Sequence, residues 1–231
     1  MSQDFKISVL TPSYNSAKHI ERAIKSVVNQ DYKNWEHIIM DGGSTDGTID
    51  VLGKYPHLIW KSAKDNGQSD AMNKAFAHSN GNIIVYLNAD DEFNEGIFSK
   101  IISLFKTETN CKNLMVITDL IIVDKHLNEH YARPSIQFKD ILNPRKLSYP
   151  LNPISYFYCR NIQETTGAFP VELIFAMDYW FLLRVYSKSK LIYLSEIAGK
   201  FHNYNNKTSD KVKSEIDVLA VLGAFIRNQS P

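Results

Sequence analysis

The stretch IIVYLNADDEF, residues 83–93, decides the fold class of this 231-residue chain, because an apolar run of strand character ends there on two adjacent carboxylates. Asp90 and Asp91 repel one another, and each prefers water to the edge of a sheet. A short, continuous apolar run is typical of a parallel strand that is buried on both faces. The carboxylate pair at its end therefore indicates a site that expects a positive partner.

Strand-like and helix-like segments alternate through the first hundred residues, which predicts a parallel sheet with helices on both faces. The first helical segment shows apolar residues at helical spacing, at Ile20, Ile24 and Val27 or Val28. Strands are predicted at KISVLTP (6–12), WEHIIMD (35–41), HLIWKS (57–62) and NIIVYLNADD (82–91), with helices at 17–30, 47–55 and 67–79.

The second half is less regular and is interrupted by prolines. NLMVITDLIIVD (113–124), YFYCR (156–160) and KLIYLSE (190–196) are strand-like, and AMDYWFLLRVYSK (176–188) is helix-like. The tail, residues 210–227, is predicted to be an amphipathic packing helix. Its apolar stripe would comprise Val212, Ile216, Leu219, Leu222 and Ile226. We expect one domain over residues 1–231, with a nucleotide-sized half (1–107) and an irregular half (108–231).

Composition excludes several classes of protein. The chain is 44% hydrophobic and 22% charged, which allows a sizeable core, and its net charge of +1 provides no field to attract nucleic acid. Its two cysteines are far apart, which argues against a disulfide framework or a zinc site and fits a reducing cytosol. No window approaches the ~20 apolar residues of a spanning helix. We therefore expect a cytoplasmic protein that is soluble or at most attached to a membrane surface.

Polar, glycine-rich segments follow all four predicted strands of the first half. Each alone is consistent with a turn or a helix cap. Because the carboxyl ends of parallel strands meet at one edge, where ligands bind in open α/β sheets, the four together indicate a binding site. The segments are TPSYN (11–15), DGGSTDGT (41–48), AKDNGQSDAMN (63–73) and NADD (88–91).

These motifs, in this order, resemble the family 2 glycosyltransferases of the GT-A fold, and the resemblance resumes at GAFPVELIFAMDYWFLLR (167–184). It implies an α/β fold with a Rossmann-like, mostly parallel central sheet flanked by helices. Residues 1–107 would bind a nucleotide-sugar. Residues 108–231 would bind the acceptor and supply the general base of the reaction. The implied reaction is inverting, metal-dependent transfer of a hexosyl or N-acetylhexosaminyl group. The donor would be a nucleotide diphosphate sugar and the acceptor a glycan or lipid-linked hydroxyl in bacterial cell-surface polysaccharide synthesis.

The resemblance also implies how the donor nucleotide is held. Asp41 would accept the imino proton of uracil, or of thymine, which has the same edge, so a UDP-sugar is favoured. Pro12 and Tyr14 would line the flat face of the base. The remaining donor-binding positions implied are Asn15, Asn66, Gly67, Asp70 and Asp90.

The positive partner of the carboxylate pair would be Mn²⁺ or Mg²⁺, since hard cations prefer oxygen ligands. The resemblance implies that Asp91 binds the metal directly and that Asp90 faces the ribose or the metal. Asn88 stands where some relatives carry a first aspartate, which leaves open which carboxylate is the ligand. His202 is a further metal-ligand candidate, and either His202 or Tyr204 occupies the histidine position of the family.

An acceptor hydroxyl needs a general base on the face of the sugar opposite the diphosphate. The resemblance implies that Asp178 is this base, with Glu172 as a weaker rival.

Two other functions are open to a chain with these motifs. A sugar-nucleotide pyrophosphorylase would need a Gly-rich, basic loop after the first strand, which TPSYNSAKH (11–19) does not provide; the other is a catalytically inactive nucleotide-sugar-binding subunit. A lipid-linked acceptor would bring the enzyme to the membrane surface transiently, and the sequence leaves its oligomeric state open.

Overall fold

The computed structural model describes residues 4–109, 111–144, 148–150, 152–203 and 211–228, excluding the side chains of residues 211 and 212. Nine strands and eight α-helices occur among these residues. The strands are β1 (Ile7–Ser13), β2 (Trp35–Asp41), β3 (Ile59–Ser62), β4 (Ile83–Tyr86), β5 (Glu92–Phe93), β6 (Leu114–Val123), β7 (Glu129–Ala132), β8 (Tyr156–Cys159) and β9 (Lys190–His202). The helices are α1 (Ile20–Val28), α2 (Thr48–Leu52), α3 (Gln68–His78), α4 (Ile97–Thr107), α5 (Phe138–Ile141), α6 (Arg160–Thr166), α7 (Met177–Lys188) and α8 (Lys211–Arg227).

One sheet contains all nine strands, in the order β3-β2-β1-β4-β8-β6-β9-β5, with β7 paired to β6. Strands β1 to β4 are mutually parallel, as the alternation of segments predicts. Ser13 lies opposite Asp41, and Asp41 opposite Ser62, so the carboxyl ends of three strands are level. The segments that follow β1 to β4 therefore begin at one edge of the sheet.

Two apolar layers cover the two faces of the sheet. Alternate residues of a strand point to opposite faces, so Ile84 and Tyr86 pack with α3 and α7, whereas Ile83 and Val85 pack with α1 and α4. All four side chains of β4 are fully buried, which explains its uninterrupted apolar sequence. The predicted α/β class, with helices on both faces, is confirmed.

Strand β8, predicted at residues 156–160, and strand β5, which the sequence did not indicate, close the second half of the sheet. Strand β8 runs antiparallel between β4 and β6, and the two-residue strand β5 runs antiparallel to β9. Strand β9 extends beyond the predicted residues 190–196 to His202 and stays parallel to β6 through register shifts near Asp119. This extension brings His202 to the segment that follows β4.

Helix α8 matches the predicted tail helix. Of the predicted apolar stripe, Leu222 packs against the core and the side chain of Val212 lies outside those described, but the other three positions are wrong. Ile216, Leu219 and Ile226 are exposed, and a different set, Val218, Val221 and Phe225, packs against the layer that contains α7. Both sets have helical spacing, so periodicity alone could not choose between them. Among the described residues, no helix is long and apolar enough to span a membrane.

Candidate functional site

An open cavity of about 690 Å³ lies where β1 to β4 end, within the size range of small-molecule sites. All four strand-end segments contribute to its wall, so the predicted convergence of these segments is observed. The lining residues include Pro12, Tyr14 and Asn15 after β1, Gly42 and Asp46 after β2, Asp65, Gly67 and Gln68 after β3, and Asn88 and Asp90 after β4.

The segment after β1 is fixed to the segment after β2. Asn15 adopts a left-handed backbone conformation (φ 46°), and its backbone N–H donates to Ser44 Oγ at 2.7 Å. Its side-chain oxygen accepts from the N–H of Thr45 at 2.9 Å. Tyr14, which precedes it, is 54% exposed at the cavity wall. An exposed ring on a fixed backbone provides a flat surface suited to stacking on a base.

Asp41, at the end of β2, is 3% exposed and is surrounded by donors. Its carboxylate accepts from the N–H groups of Gly43 (3.0 Å) and Ser44 (2.8 Å) and from the hydroxyls of Ser44 (2.5 Å) and Ser62 (2.7 Å). Three of these bonds go to Oδ2 and one to Oδ1, so both oxygens of the carboxylate are held. Asp41 thus holds the turn that begins the second segment and ties it to β3.

The segment after β3 carries a second carboxylate that faces the cavity. Asp65 lines the wall and accepts from the N–H of Gly67 at 3.0 Å. A Cβ placed on Gly42 would lie 2.9 Å from Asp65 Oδ2, so the carboxylate occupies the space that a side chain at 42 would fill. Asp70 instead accepts from the N–H of Asn66 and from Lys74, both at 2.9 Å, and thereby braces the start of α3.

Asp91 is completely buried at the end of the fourth segment. Its carboxylate accepts from the backbone N–H of His202 (2.9 Å) and from the side-chain amides of Asn152 (2.8 Å) and Asn88 (3.1 Å). Burial, followed by the charge of Asp90, raises the pKa of Asp91 to about 7. Asp91 is therefore the point where β9 and the residue-152 segment attach to the end of β4.

Asp90 lines the cavity, and burial raises its pKa as well. Its backbone carbonyl accepts from the guanidinium of Arg22. Within the described ranges, no group of three or more His, Cys, Asp or Glu side chains is arranged to hold a metal. A hard cation would still suit this corner, because it would offset the charge of the half-enclosed Asp90 carboxylate and take its other ligands from phosphate and water.

His202 lies beside this corner with its ring directed to Glu92. Its Nε2 is 3.0 Å from Glu92 Oε1, and this hydrogen bond is the main cause of the lowered pKa of Glu92. The contact pairs the imidazole with a carboxylate next to Asp91. Tyr204, the alternative to His202 for the histidine position of the family, lies outside the described residues.

Asp178 is in the first turn of α7, partly buried, where the hydroxyl of Tyr156 donates to it at 3.3 Å. Burial raises the pKa of Asp178 to about 6. Ser69, in the first turn of α3, donates to Met177 Sδ at 2.8 Å. This contact sets the start of α7 beside the start of α3, whose Gln68 lines the cavity. Glu172, the rival base, is exposed on the preceding segment.

Several residues of the site were not indicated by sequence. Asn152 binds Asp91 from 61 positions away, and Arg22 binds the Asp90 carbonyl from 68. His19, which lines the cavity, has its pKa lowered by burial and then by Arg22. The only sequence signal for Asp65 is its place in a strand-end segment, since its approach to Gly42 depends on the pairing of β2 with β3.

Two relatives of this chain are named as glycosyltransferases. The chain is 35% identical over 111 residues to TuaG of Bacillus subtilis, named for teichuronic acid biosynthesis, covering 46% of this chain and 43% of that one. It is 25% identical over 215 residues to the Staphylococcus aureus poly(ribitol-phosphate) beta-N-acetylglucosaminyltransferase TarS, covering 87% of this chain and 36% of that one. The chain thus spans less than half the length of these two relatives.

Solved structures share the fold. TarS residues 1–349 in complex with UDP-GlcNAc superpose with a TM-score of 0.78 at 23% identity, over 96% of this chain and 67% of that one. The mannosyltransferase PcManGT of Pyrobaculum calidifontis, in complex with GDP-Man and Mn²⁺, gives 0.68 at 18% identity, over 97% and 65%. The predicted GT-A fold is confirmed. The model of the family described as "Glycosyl transferase family 2" matches residues 8–161, which is most of the chain, so the chain belongs to glycosyl transferase family 2.

Proposed function

We propose that this chain is an inverting glycosyltransferase that moves a sugar from a UDP-sugar to a hydroxyl of a glycan or lipid-linked saccharide in cell-surface polysaccharide synthesis. The observation that carries the proposal is one arrangement of carboxyl groups. Asp90 lies in the wall of the strand-end cavity, and Asp178, with a pKa of about 6, lies in the helix turn that packs beside the same cavity. Inverting transfer needs a charged pocket for the leaving diphosphate and a separate base for the acceptor.

The relatives favour the class of donor and acceptor. TarS has been solved in complex with UDP-GlcNAc, and it is named as a poly(ribitol-phosphate) beta-N-acetylglucosaminyltransferase. TuaG is named for another bacterial surface polymer. An N-acetylhexosaminyl or hexosyl group carried by UDP is the corresponding donor here. A lipid-linked acceptor would bring the protein transiently to a membrane surface.

Different residues of the cavity would bind different parts of the donor. Pro12 and Tyr14 offer a rigid, flat surface for the base. Lys18 and Lys64 line the same cavity and place positive charge where a diphosphate would lie. Asp90 would hold a divalent cation together with diphosphate oxygens, and Asp91, its immediate neighbour, is the second proposed ligand. When bound, the cation would offset the charge that grows on the leaving diphosphate.

Asp178 would take the proton of the acceptor hydroxyl as that oxygen bonds to the anomeric carbon. A carboxyl group with a pKa of about 6 is mostly ionised at neutral pH and is a stronger base than an ordinary aspartate. The Tyr156 hydroxyl, which donates to the Oδ1 atom, fixes the orientation of the carboxylate. The diphosphate would leave on the opposite face of the sugar, which inverts the anomeric centre.

The test separates binding from turnover. Calorimetric titration with UDP, with and without Mn²⁺, should show metal-dependent binding that falls at least about tenfold in Asp90→Ala. UDP-GlcNAc hydrolysis or transfer should fall by about 10²-fold or more in Asp178→Asn, while UDP binding is retained. Glu196→Gln, a surface carboxylate paired with Lys100, is the matched control and should change neither property.

Each part of this experiment has a result that would contradict the proposed function. Turnover that persists in Asp178→Asn would remove Asp178 from the role of base. Folded wild-type protein that binds no nucleoside diphosphate would overturn the donor site. Binding of UDP without turnover of any UDP-sugar would instead identify an inactive nucleotide-sugar-binding subunit.

A further inference from the structure

We propose that Asp65, and not Asp41, is the carboxylate that recognises the base of the donor nucleotide. The inference rests on the proposed function, since it assigns a role within the donor site. It concerns two carboxylates on neighbouring segments, one after β2 and one after β3. Their surroundings differ in the property that matters for recognition, which is an acceptor atom left available at the cavity wall.

Asp41 presents no oxygen to the cavity, because it is buried and is not among the described residues that line the cavity wall. Four donors, two backbone N–H groups and two hydroxyls, already occupy its oxygens, and the residue is 3% exposed. Because Asp41 is buried, a nucleobase could reach its carboxylate only if the turn at Gly43 and Ser44 moved away, which would break these bonds. Breaking these bonds would also release the turn on which Asn15 is held through Ser44 and Thr45. Asp41 is thus a positioning residue for the cavity wall.

Asp65, unlike Asp41, lines the cavity, where its carboxylate can accept a hydrogen bond from a ligand. Its Oδ1 accepts from the N–H of Gly67, which fixes the orientation of the carboxylate, and its Oδ2 lies over Gly42 at the cavity wall. Any side chain at 42 would collide with this carboxylate, because even a Cβ would lie 2.9 Å from Oδ2. Gly42 and Asp65 therefore act as a pair, in which the missing side chain at one position makes room for the carboxylate of the other.

The chemistry of one available carboxylate oxygen matches uracil. Uracil presents a single ring N–H donor between two carbonyl oxygens, so one acceptor suffices and its charge strengthens the bond. Cytosine presents an unprotonated ring nitrogen at that position, which the carboxylate would repel. The pair Gly42–Asp65 accordingly favours UDP over CDP.

The decisive variant is Asp65→Asn, titrated calorimetrically with UDP and CDP in the presence of Mn²⁺. The amide oxygen would keep the bond to the N–H of Gly67, which turns the NH₂ group toward the base. UDP affinity should then fall about 10–100-fold, because a charged acceptor is replaced by a donor facing a donor. CDP affinity should hold or rise, so the preference for UDP over CDP should collapse or invert. A variant with an unchanged preference would overturn the assignment.

Asp41→Asn is the comparison variant. It should weaken the turn, lower the melting temperature and reduce the affinities for UDP and CDP by the same factor, which leaves their ratio unchanged. A collapse of the ratio in Asp41→Asn, with the ratio intact in Asp65→Asn, would return base recognition to Asp41. The proposed function fails separately, by the absence of nucleotide binding in the wild-type protein.

A second measurement does not depend on the behaviour of an introduced amide. Gly42→Ala should lower UDP affinity by displacing the Asp65 carboxylate, and it should have little further effect in the Asp65→Ala background. This non-additivity is the expected signature of two residues that act as a unit. Full additivity of Gly42→Ala and Asp65→Ala would mean that the two positions act independently, which would contradict the proposed pair.

Discussion

At the scale of single residues, Asp178 links activity to stability. Burial raises its pKa to about 6, against about 4 for an aspartate in an unfolded chain. The folded protein therefore binds one more proton than the unfolded chain between these two pH values. The stability that the folded protein gains by holding this proton is present in full below pH 4. It is lost as the pH rises through about 6.

We expect this linkage to appear in both kinetics and folding. The rate at limiting substrate should increase with pH along a limb of apparent pKa about 6. Asp178→Asn should increase the free energy of unfolding at pH 7.5 by the order of 1–3 kcal/mol relative to wild type, with little difference near pH 4. Urea denaturation at the two pH values measures the change. Equal stabilisation at both would show that ionisation of Asp178 is not the cause.

Sequence alone could predict which residue types line the site but not which atoms remain available there. Asp41 and Asp65 both follow a strand in a polar, glycine-rich segment, and only the hydrogen bonds of the folded chain distinguish them. The same holds for Asp90 and Asp91, one at the cavity wall and the other fully buried. Availability depends on donors such as Asn152 and His202, which tertiary packing brings from distant segments.

At the scale of secondary-structure elements, β9 packs closely against the backbone of β5 at Gly199. A Cβ at Gly199 would lie 2.1 Å from the carbonyl oxygen of Glu92 and 2.9 Å from the Cα of Phe93. Only glycine permits this approach without moving backbone. The contact keeps the segment that follows Asp90 and Asp91 against β9.

Gly199→Ala should therefore be damaging in two respects. Overpacking against backbone should cost about 1–3 kcal/mol of the free energy of unfolding, and displacement of β5 should weaken UDP binding through the neighbouring Asp90. Gly223→Ala, on α8, is the matched control. Its Cβ would meet only the Arg227 guanidinium at 3.5 Å, so helix propensity should make it neutral or stabilising by up to about 1 kcal/mol. Wild-type stability in Gly199→Ala would show that β5 and β9 can separate without cost.

Strands and helices with a clear apolar pattern in their own sequence were predictable. Features that depend on contacts with distant segments were not. Strands β1 to β4 and helices α1 to α3 follow from apolar runs and helical spacing. Strand β5 has two residues and exists because β9 is beside it. Helix α8 has apolar residues on two sides, and the choice of its packed face was made by α7 through Val218, Val221 and Phe225.

At the scale of the whole molecule, the two predicted halves share one sheet. Strand β8, from the second half, pairs with β4 on one side and with β6 on the other. Gln163 of α6 accepts from the hydroxyls of Tyr86 (3.2 Å) and Tyr158 (2.6 Å), so polar atoms buried in the first half find partners in the second. The boundary predicted near residue 107 therefore does not divide the core.

A fragment of residues 1–107 should consequently fail to fold alone. It would leave β4 as a sheet edge and would uncover the apolar layer that Tyr156, Tyr158 and Phe181 bury in the full chain. Circular dichroism and gel filtration should show loss of cooperative unfolding and self-association, with the full chain as the reference. A monomeric fragment with a sharp unfolding transition would mean that the first half has a sufficient core of its own.

The same interleaving has a consequence for synthesis on the ribosome. Strands β1 to β4 leave the ribosome well before Tyr156–Cys159, the strand that covers the free edge of β4. During that interval the nascent chain carries an unpaired, wholly apolar strand, which is the kind of segment that associates with other chains or recruits chaperones. Slower translation between residues 107 and 156 should lengthen this exposure, so the yield of native protein should depend on codon choice in that interval more than in the segments after β8.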